Sequence, residues 1–264
     1  MSVAGSASIS AAGPWEGHLW LVLGGSSSVA RAFALAAAAG GAEVLLAGRD
    51  RLDLERTAAD VRVRTGRRAE AIYFDADPYT DHAAFADACR VKAGAAGATL
   101  DVLLAFGVMP EQAAMDRDFT LAQEAIMVNY TGAVSILARL APVLEAQGRG
   151  RVVVLNSVAG DRGRLKNYLY GSAKAGLNTY LQGLRARLFR SGVGVTTVKA
   201  GFLDTAMTWG LPGLFLVASP AACAQACLAA AAKGRDVVYF PRFWRWIMAI
   251  IKAIPERRFK RMNI

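Results

Sequence analysis

The sequence predicts a single α/β domain: a doubly wound parallel sheet of seven strands with helices on both faces, followed by an amphipathic C-terminal helix. Three observations carry that prediction. Seven short apolar runs recur along the chain, helical patterns alternate with them, and several runs are continuously apolar rather than alternating. Continuous apolarity suits strands covered on both faces. Strict β/α alternation joins parallel strands by right-handed crossovers and leaves ligands at their carboxyl ends.

Taken in order, the strand runs fall at 19–23, 43–47, 69–74, 101–105, 151–156, 193–199 and 237–240. Behind the first run "GGSSSVARAFALAAAA" turns and becomes helical, and further helical patterns cover 50–64, 83–93, 119–144, 170–190 and 220–233. No internal repeat or linker divides them, and 264 residues suit one such domain. The domain is expected to span 18–240. Residues 1–14, "MSVAGSASISAAGP", are small, lack Lys and Arg and are unlike a secretory signal, so 1–17 reads as a loose tail. Residues 241–264 form the C-terminal segment.

Composition narrows the chemistry. With 54% hydrophobic and 20% charged residues the chain is globular. Cys89, Cys223 and Cys227 form no C-x-x-C pair, and the two histidines, His18 and His82, lie far from them. No metal site is expected, the sparse thiols suit a cytoplasmic protein, and histidine-based nucleophilic catalysis has no support. The net charge is +10, but 242–264 holds seven Lys/Arg against one Glu, so six of those charges belong to the tail. The basic balance therefore gives no indication of nucleic-acid binding.

The most informative stretch is "VVVLNSVAGDRGRLKNYLYGSAKAGLNTYLQGL". Ser157 stands at the carboxyl edge of a strand. Tyr170 follows at the start of a helix, and Lys174 lies at i+4, on the same helical face. A phenol titrates near 10, and a neighbouring ammonium favours phenolate, so Lys174 is expected to lower the Tyr170 pKa. Tyr170 can then exchange a proton with a carbonyl or alcohol while Ser157 holds the oxygen. Tyr168 lacks a lysine at i+4, where Ser172 stands, and is expected to line the substrate cleft.

These motifs resemble the short-chain dehydrogenase/reductase superfamily over nearly all of 18–240. The resemblance implies a Rossmann fold and a catalytic tetrad of Asn129 (in "VNYTG"), Ser157, Tyr170 and Lys174, with Lys174 also binding the nicotinamide ribose and Asn129 either anchoring a proton-relay water or serving as a helix-kink or packing residue. The family turn T-G-x-x-x-G-x-G aligns with "LGGSSSVA": Gly24 matches, while Ser28 and Ala30 replace glycines. Ser26, Ser27, Ser28 and Val29 then open a helix whose N–H groups face a pyrophosphate. Arg49, after the second strand, suits the 2′-phosphate of NADP(H), and the adjacent Asp50 leaves NAD(H) open. Asp75 matches the adenine contact, and Ala105, Gly107, Gly201, Leu203 and Thr205 fall on the remaining cofactor loops.

Two departures, "AFGV" for N-N-A-G and "KAGFLDTAMT" for the usual P-G, narrow the family, and the "AFG" turn, the "VNYTGAVS" stretch and the tail "VVYFPRFWRWIMAIIKAIPERRFKRMNI" resemble the reductases of decaprenylphosphoryl-2-keto-erythro-pentose. That branch implies a lipid-linked keto-sugar substrate and a flavin-dependent oxidase partner, and the superfamily resemblance implies a homodimer or homotetramer. In 242–254, Phe243, Ile247, Ile250, Ile251 and Ile254 share one side, flanked by Trp244, Trp246 and Met248, with Arg245 and Lys252 opposite. Too short for the ~20 residues of a membrane span, 242–261 suits an interfacial helix on an anionic membrane, or a helix docked on its own domain or a partner subunit. Arg162, Arg164 and Lys166 either hold a substrate phosphate or form a solvated loop. Trp209 opens the apolar stretch 209–217, either a lid over an apolar substrate or a packed loop. The expected activity is NAD(P)H-dependent ketone reduction. The alternatives are reduction of another apolar carbonyl compound, such as a steroid or acyl chain, or cofactor binding without turnover, against which the complete tetrad argues.

Overall fold

The computed structural model describes residues 13–210 and 215–263. Seven parallel strands, β1 (His18–Leu23), β2 (Glu43–Gly48), β3 (Ala69–Tyr73), β4 (Thr99–Leu104), β5 (Arg151–Ser157), β6 (Gly194–Ala200) and β7 (Val237–Phe240), lie in the order β3-β2-β1-β4-β5-β6-β7. The order reverses between β1 and β4, which opens a crevice at their carboxyl ends. Leu19, Leu21 and Leu23 of β1 enter one core, and Trp20 and Val22 enter the other. Both faces of the strand are dry from Leu19 onward, and every position from Leu19 to Leu23 is apolar.

On one face lie α1 (Ser28–Ala39), α2 (Arg51–Thr65) and, from the end of the chain, α8 (Pro220–Ala232). The other carries α3 (His82–Ala95), α6 (Ala133–Gln147) and α7 (Tyr168–Phe189). Before α6 stand the short helices α4 (Gln112–Arg117) and α5 (Phe119–Ile126). The single helix expected over 119–144 is broken into α5, a π-helical turn at Met127–Gly132, and α6. The break coincides with contacts to distant parts of the chain: a side-chain carbon at Gly132 would lie 2.6 Å from the Ala76 carbonyl oxygen, and Asn129 is pulled onto the Val108 backbone. Such turns insert one extra residue and re-aim a side chain.

The ordered domain begins earlier than residue 18. Trp15 is buried edge-on against Trp20 and His18, and its N–H donates to the Gly40 carbonyl, so 13–17 belong to the domain. The rest of the expected tail, 1–12, lies outside the described residues.

At the other end, α9 (Trp244–Ala253) and α10 (Glu256–Phe259) fold back over the carboxyl edge of the sheet. Trp244 and Met248 are buried among Val158, Phe202, Tyr239, Ile247 and Ile251. The apolar face expected to meet a membrane is therefore docked on the chain's own domain, because the crevice edge there is itself apolar. Trp246 and Ile250 remain outside, each 68% exposed.

Candidate active site

The end of β5 positions the first functional group. Ser157 caps a tight turn, Val158–Asp161, by accepting from the Ala159 N–H at 3.1 Å. The chain then loops into α7, whose first two turns bring Tyr170 and Lys174 back under that strand end. Asn156 fixes the register: its amide donates to the Lys174 carbonyl oxygen at 3.1 Å and to Asn178 Oδ1 at 2.8 Å. Lys174 Nζ lies 5.6 Å from the centre of the Tyr170 ring. From the neighbouring strand end, a side-chain carbon on Gly107 would stand 3.4 Å from Lys174 Nζ and 2.6 Å from Asn129 Oδ1, so only glycine leaves this corner open.

Asn129 stands behind the cleft wall rather than in it. Both of its amide hydrogens are committed, to the Val108 carbonyl at 2.6 Å and the Ala125 carbonyl at 2.8 Å, and its oxygen accepts from the Val108 N–H. Its side chain therefore acts as a clamp on the turn after β4.

The electrostatics differ from the expectation that Lys174 makes Tyr170 more acidic. Burial dominates: it pushes the Tyr170 phenol up to about 12, while the Ser157 hydroxyl beside it and then the Arg164 guanidinium act in the opposite sense. Burial likewise pushes Lys174 down to about 8. Both follow from desolvation, which disfavours phenolate and ammonium alike. Perturbed groups of this kind in a cleft mark a functional site.

The cleft itself is about 950 Å³ and runs along the carboxyl edge of the sheet. One end is the turn after β1. Gly24 has φ +86°, and a side-chain carbon on it would lie 2.7 Å from the Phe106 nitrogen, so the cradle closes only around glycine. Ser27 caps α1 by accepting from the Ala30 N–H, and Ser26, Ser27, Ser28 and Val29 line this end of the cleft. Arg49 and Asp75 line the far end, Ala105 and Gly107 the middle, and Gly201, Leu203 and Thr205 the opposite wall. Asp50 is occupied as the cap of α2, accepting from the Asp53 N–H at 3.0 Å, while Arg49 has no ion-pair partner among the described residues. A helix N-terminus, a glycine that a methyl group would obstruct, and an unpaired arginine at the ribose end fit a dinucleotide.

Of the five residues expected to meet substrate, Arg164 and Lys166 line the cleft, and Arg162, Tyr168 and Trp209 do not. Arg162 is turned away: its guanidinium sits 3.7 Å above the Phe259 ring and donates to the carbonyls of Ile251 and Ile254, tying off the end of α9. Tyr168 points outward and donates to Asp116 at 2.5 Å. Trp209 is 88% exposed, outside the cleft; residues 211–214 of the expected lid lie outside the described residues. In each case a nearer partner, or open solvent, won over the cleft.

The sequence reading missed the apolar half of the cleft. Phe202, Phe215, Trp244, Ile247 and Ile251 build it, the last three from α9. The wheel of 242–254 held the signal, since Trp244, Ile247 and Ile251 fall on one helical face. Asn178, four residues after Lys174, was a further sign of a polar clamp.

A dinucleotide cradle meeting a serine, a tyrosine and a lysine defines a nicotinamide-dependent oxidoreductase. The short chain dehydrogenase family matches residues 18–212, and the chain belongs to that family. It is 33% identical over 242 residues to an uncharacterized oxidoreductase of Mycobacterium tuberculosis H37Rv, covering 92% of this chain and 96% of that one. It is 35% identical over 251 residues to another, from the mprA 5′ region of Streptomyces coelicolor, covering 92% and 95%. Among solved structures it is similar to a short-chain dehydrogenase/reductase family protein, with TM-score 0.74 and 27% identity over 86% of this chain and 96% of that one. A short-chain dehydrogenase from Sphingobium yanoikuyae in complex with NADPH has the same fold, with TM-score 0.76 and 24% identity over 90% and 97%.

Proposed function

We propose that this oxidoreductase uses NADPH to reduce a ketone on an apolar, lipid-linked substrate, the 2-keto pentose of a polyprenyl-phosphate sugar being the particular candidate. The convergence of Ser157, Tyr170 and Lys174 at the inner end of the dinucleotide cradle carries the reading. A bound nicotinamide supplies the hydride. Tyr170, held protonated by burial, donates its proton to the carbonyl oxygen, and Ser157 donates a hydrogen bond to the same oxygen as charge develops there. Lys174 holds positive charge beside the phenolate that remains. The apolar half of the cleft, built from Phe202, Phe215, Ile247 and Ile251, excludes water and accepts the lipid portion. The direct assay is NADPH consumption on the keto product of a flavin-dependent sugar oxidase, the partner this substrate would require; no consumption would refute the assigned substrate.

Arg49 supports NADPH. A charge-assisted bond to phosphate contributes about 1.5–3 kcal/mol, so Arg49→Glu should lower the NADPH-to-NADH ratio of kcat/KM by roughly 10–100-fold. An unchanged ratio would place the discrimination elsewhere.

The membrane portion of the proposal rests on a smaller surface than the whole of 242–261. Trp246 and Ile250 on the outer side of α9 are exposed alongside Arg242 and Arg245. Trp246→Ser/Ile250→Ser should float with phosphatidylglycerol vesicles markedly less than wild type. Equal flotation would remove membrane contact through α9.

A further inference from the structure

We infer that Arg164 is an anion-recognition residue of the substrate cleft: the carbonyl compound reduced here carries a phosphate or carboxylate that the Arg164 guanidinium holds. This rests on the ketone-reductase reading and adds to it the residue that meets the anion of the substrate.

The loop from Val158 to Asn167 brings three cations to one side of the cleft, and the structure gives each a different fate. Arg162 is consumed by the end of α9 and by Glu256, at 2.9 Å. Lys166 stands exposed at the mouth. Arg164 lines the cleft, half-buried, and its Nε is shut off from solvent with no hydrogen-bond partner. Among the described residues no carboxylate comes within ion-pair distance of it. The carboxylate in its own loop, Asp161, is taken by Lys199 at 2.5 Å and by the Tyr239 hydroxyl at 2.7 Å.

Shutting Nε off from solvent without a partner is unfavourable, and the planar guanidinium fork matches the paired oxygens of phosphate and carboxylate. Two other cleft-lining residues also carry buried polar atoms without partners, the Asn167 amide oxygen and the Trp244 indole N–H, and Trp244 is 2% exposed. These groups come from the β5–α7 loop and α9. The expected cofactor contacts outside the Tyr170–Lys174 pair come instead from the turns after β1, β2, β3, β4 and β6. Arg164 is near enough to Tyr170 to act on its phenol, so the anion sits on the reacting side of the cleft. The adjoining walls of Phe202, Phe215, Ile247 and Ile251 are apolar, which fits an anion at the head of an apolar chain.

The test is calorimetric titration of the NADPH-saturated full-length protein with dodecyl phosphate below its micellar concentration, with dodecanol and inorganic phosphate as companions. Arg164→Gln is expected to weaken dodecyl phosphate binding by at least about tenfold and Arg164→Lys by less, with dodecanol binding and NADPH affinity unchanged. Inorganic phosphate binding as tightly as dodecyl phosphate would identify the anion with a water-borne metabolite; weaker binding would identify it with a lipid head. Either agrees with the proposal. Equal dodecyl phosphate affinity in wild type and Arg164→Gln overturns it. So does a loss of NADPH affinity in both variants with dodecyl phosphate binding retained, which would assign Arg164 to the cofactor. The reductase reading is tested separately by Tyr170→Phe, which should keep dodecyl phosphate binding while losing turnover.

Discussion

Replacing Tyr170 with phenylalanine is expected to lower kcat for ketone reduction by about 10²–10⁴-fold, the range for removing a positioned general acid. NADPH affinity should stay within about a factor of two of wild type, since the ring that fills the site is retained. The pH dependence follows from the two buried groups. With its phenol pushed up to about 12, Tyr170 remains a proton donor throughout the neutral range. Lys174, pushed down to about 8, loses its charge first. Wild-type reduction should therefore hold up to about pH 8 and decline above it, with the decline reporting lysine discharge rather than loss of the acid. Alcohol oxidation, which needs phenolate, should be the slower direction at pH 7. Stopped-flow rates across pH for both proteins provide the test, and an undiminished kcat in Tyr170→Phe would remove the residue from the chemistry.

Lys174→Met should abolish turnover and yet stabilise the free protein by roughly 3 kcal/mol at pH 7. Lys174 is 3% exposed, and its ammonium finds no hydrogen-bond acceptor among the described residues. Burial lowers its pKa from the ordinary 10.5 to about 8. The sign follows from linkage. A lysine with a depressed folded pKa binds protons less tightly in the folded chain than in the unfolded one. Its destabilising effect is complete below about pH 8 and is lost between about 8 and 10.5. At about 1.4 kcal/mol per pKa unit, the shift corresponds to the stated 3 kcal/mol as an order of magnitude. Methionine fills the same slot without charge, so its advantage should be largest at pH 7 and vanish above 10.5. Thermal melts at pH 7 and pH 10 measure it, and a lower Tm for the variant at pH 7 would contradict the account. A functional group kept at the expense of stability is the expected trade at an active site.

Most of the fold was legible because both signals behind it are local. The seven apolar runs mark the strands within a few residues, and their continuous apolarity reflects helices on both faces. The break in 119–144 was not legible, because it arises from contacts with Ala76 and Val108, far away in sequence. The Ser157–Tyr170–Lys174 group was legible because one strand end and two helical turns place all three. The apolar wall was missed because α9 reaches the cleft only by folding back across β6 and β7. The same packing explains why a face that reads as membrane-seeking is buried: an amphipathic pattern states that a face must be covered, and not by what.

The sequence by itself determined the alternating architecture, the dinucleotide turn and the reacting trio, since each depends on spacing along neighbouring elements. Only the tertiary structure decided how those groups are charged and which cations serve the cleft. Desolvation and partner choice are properties of the packed interior: burial raised Tyr170 and lowered Lys174, α9 claimed Arg162, and Arg164 was left facing the cleft.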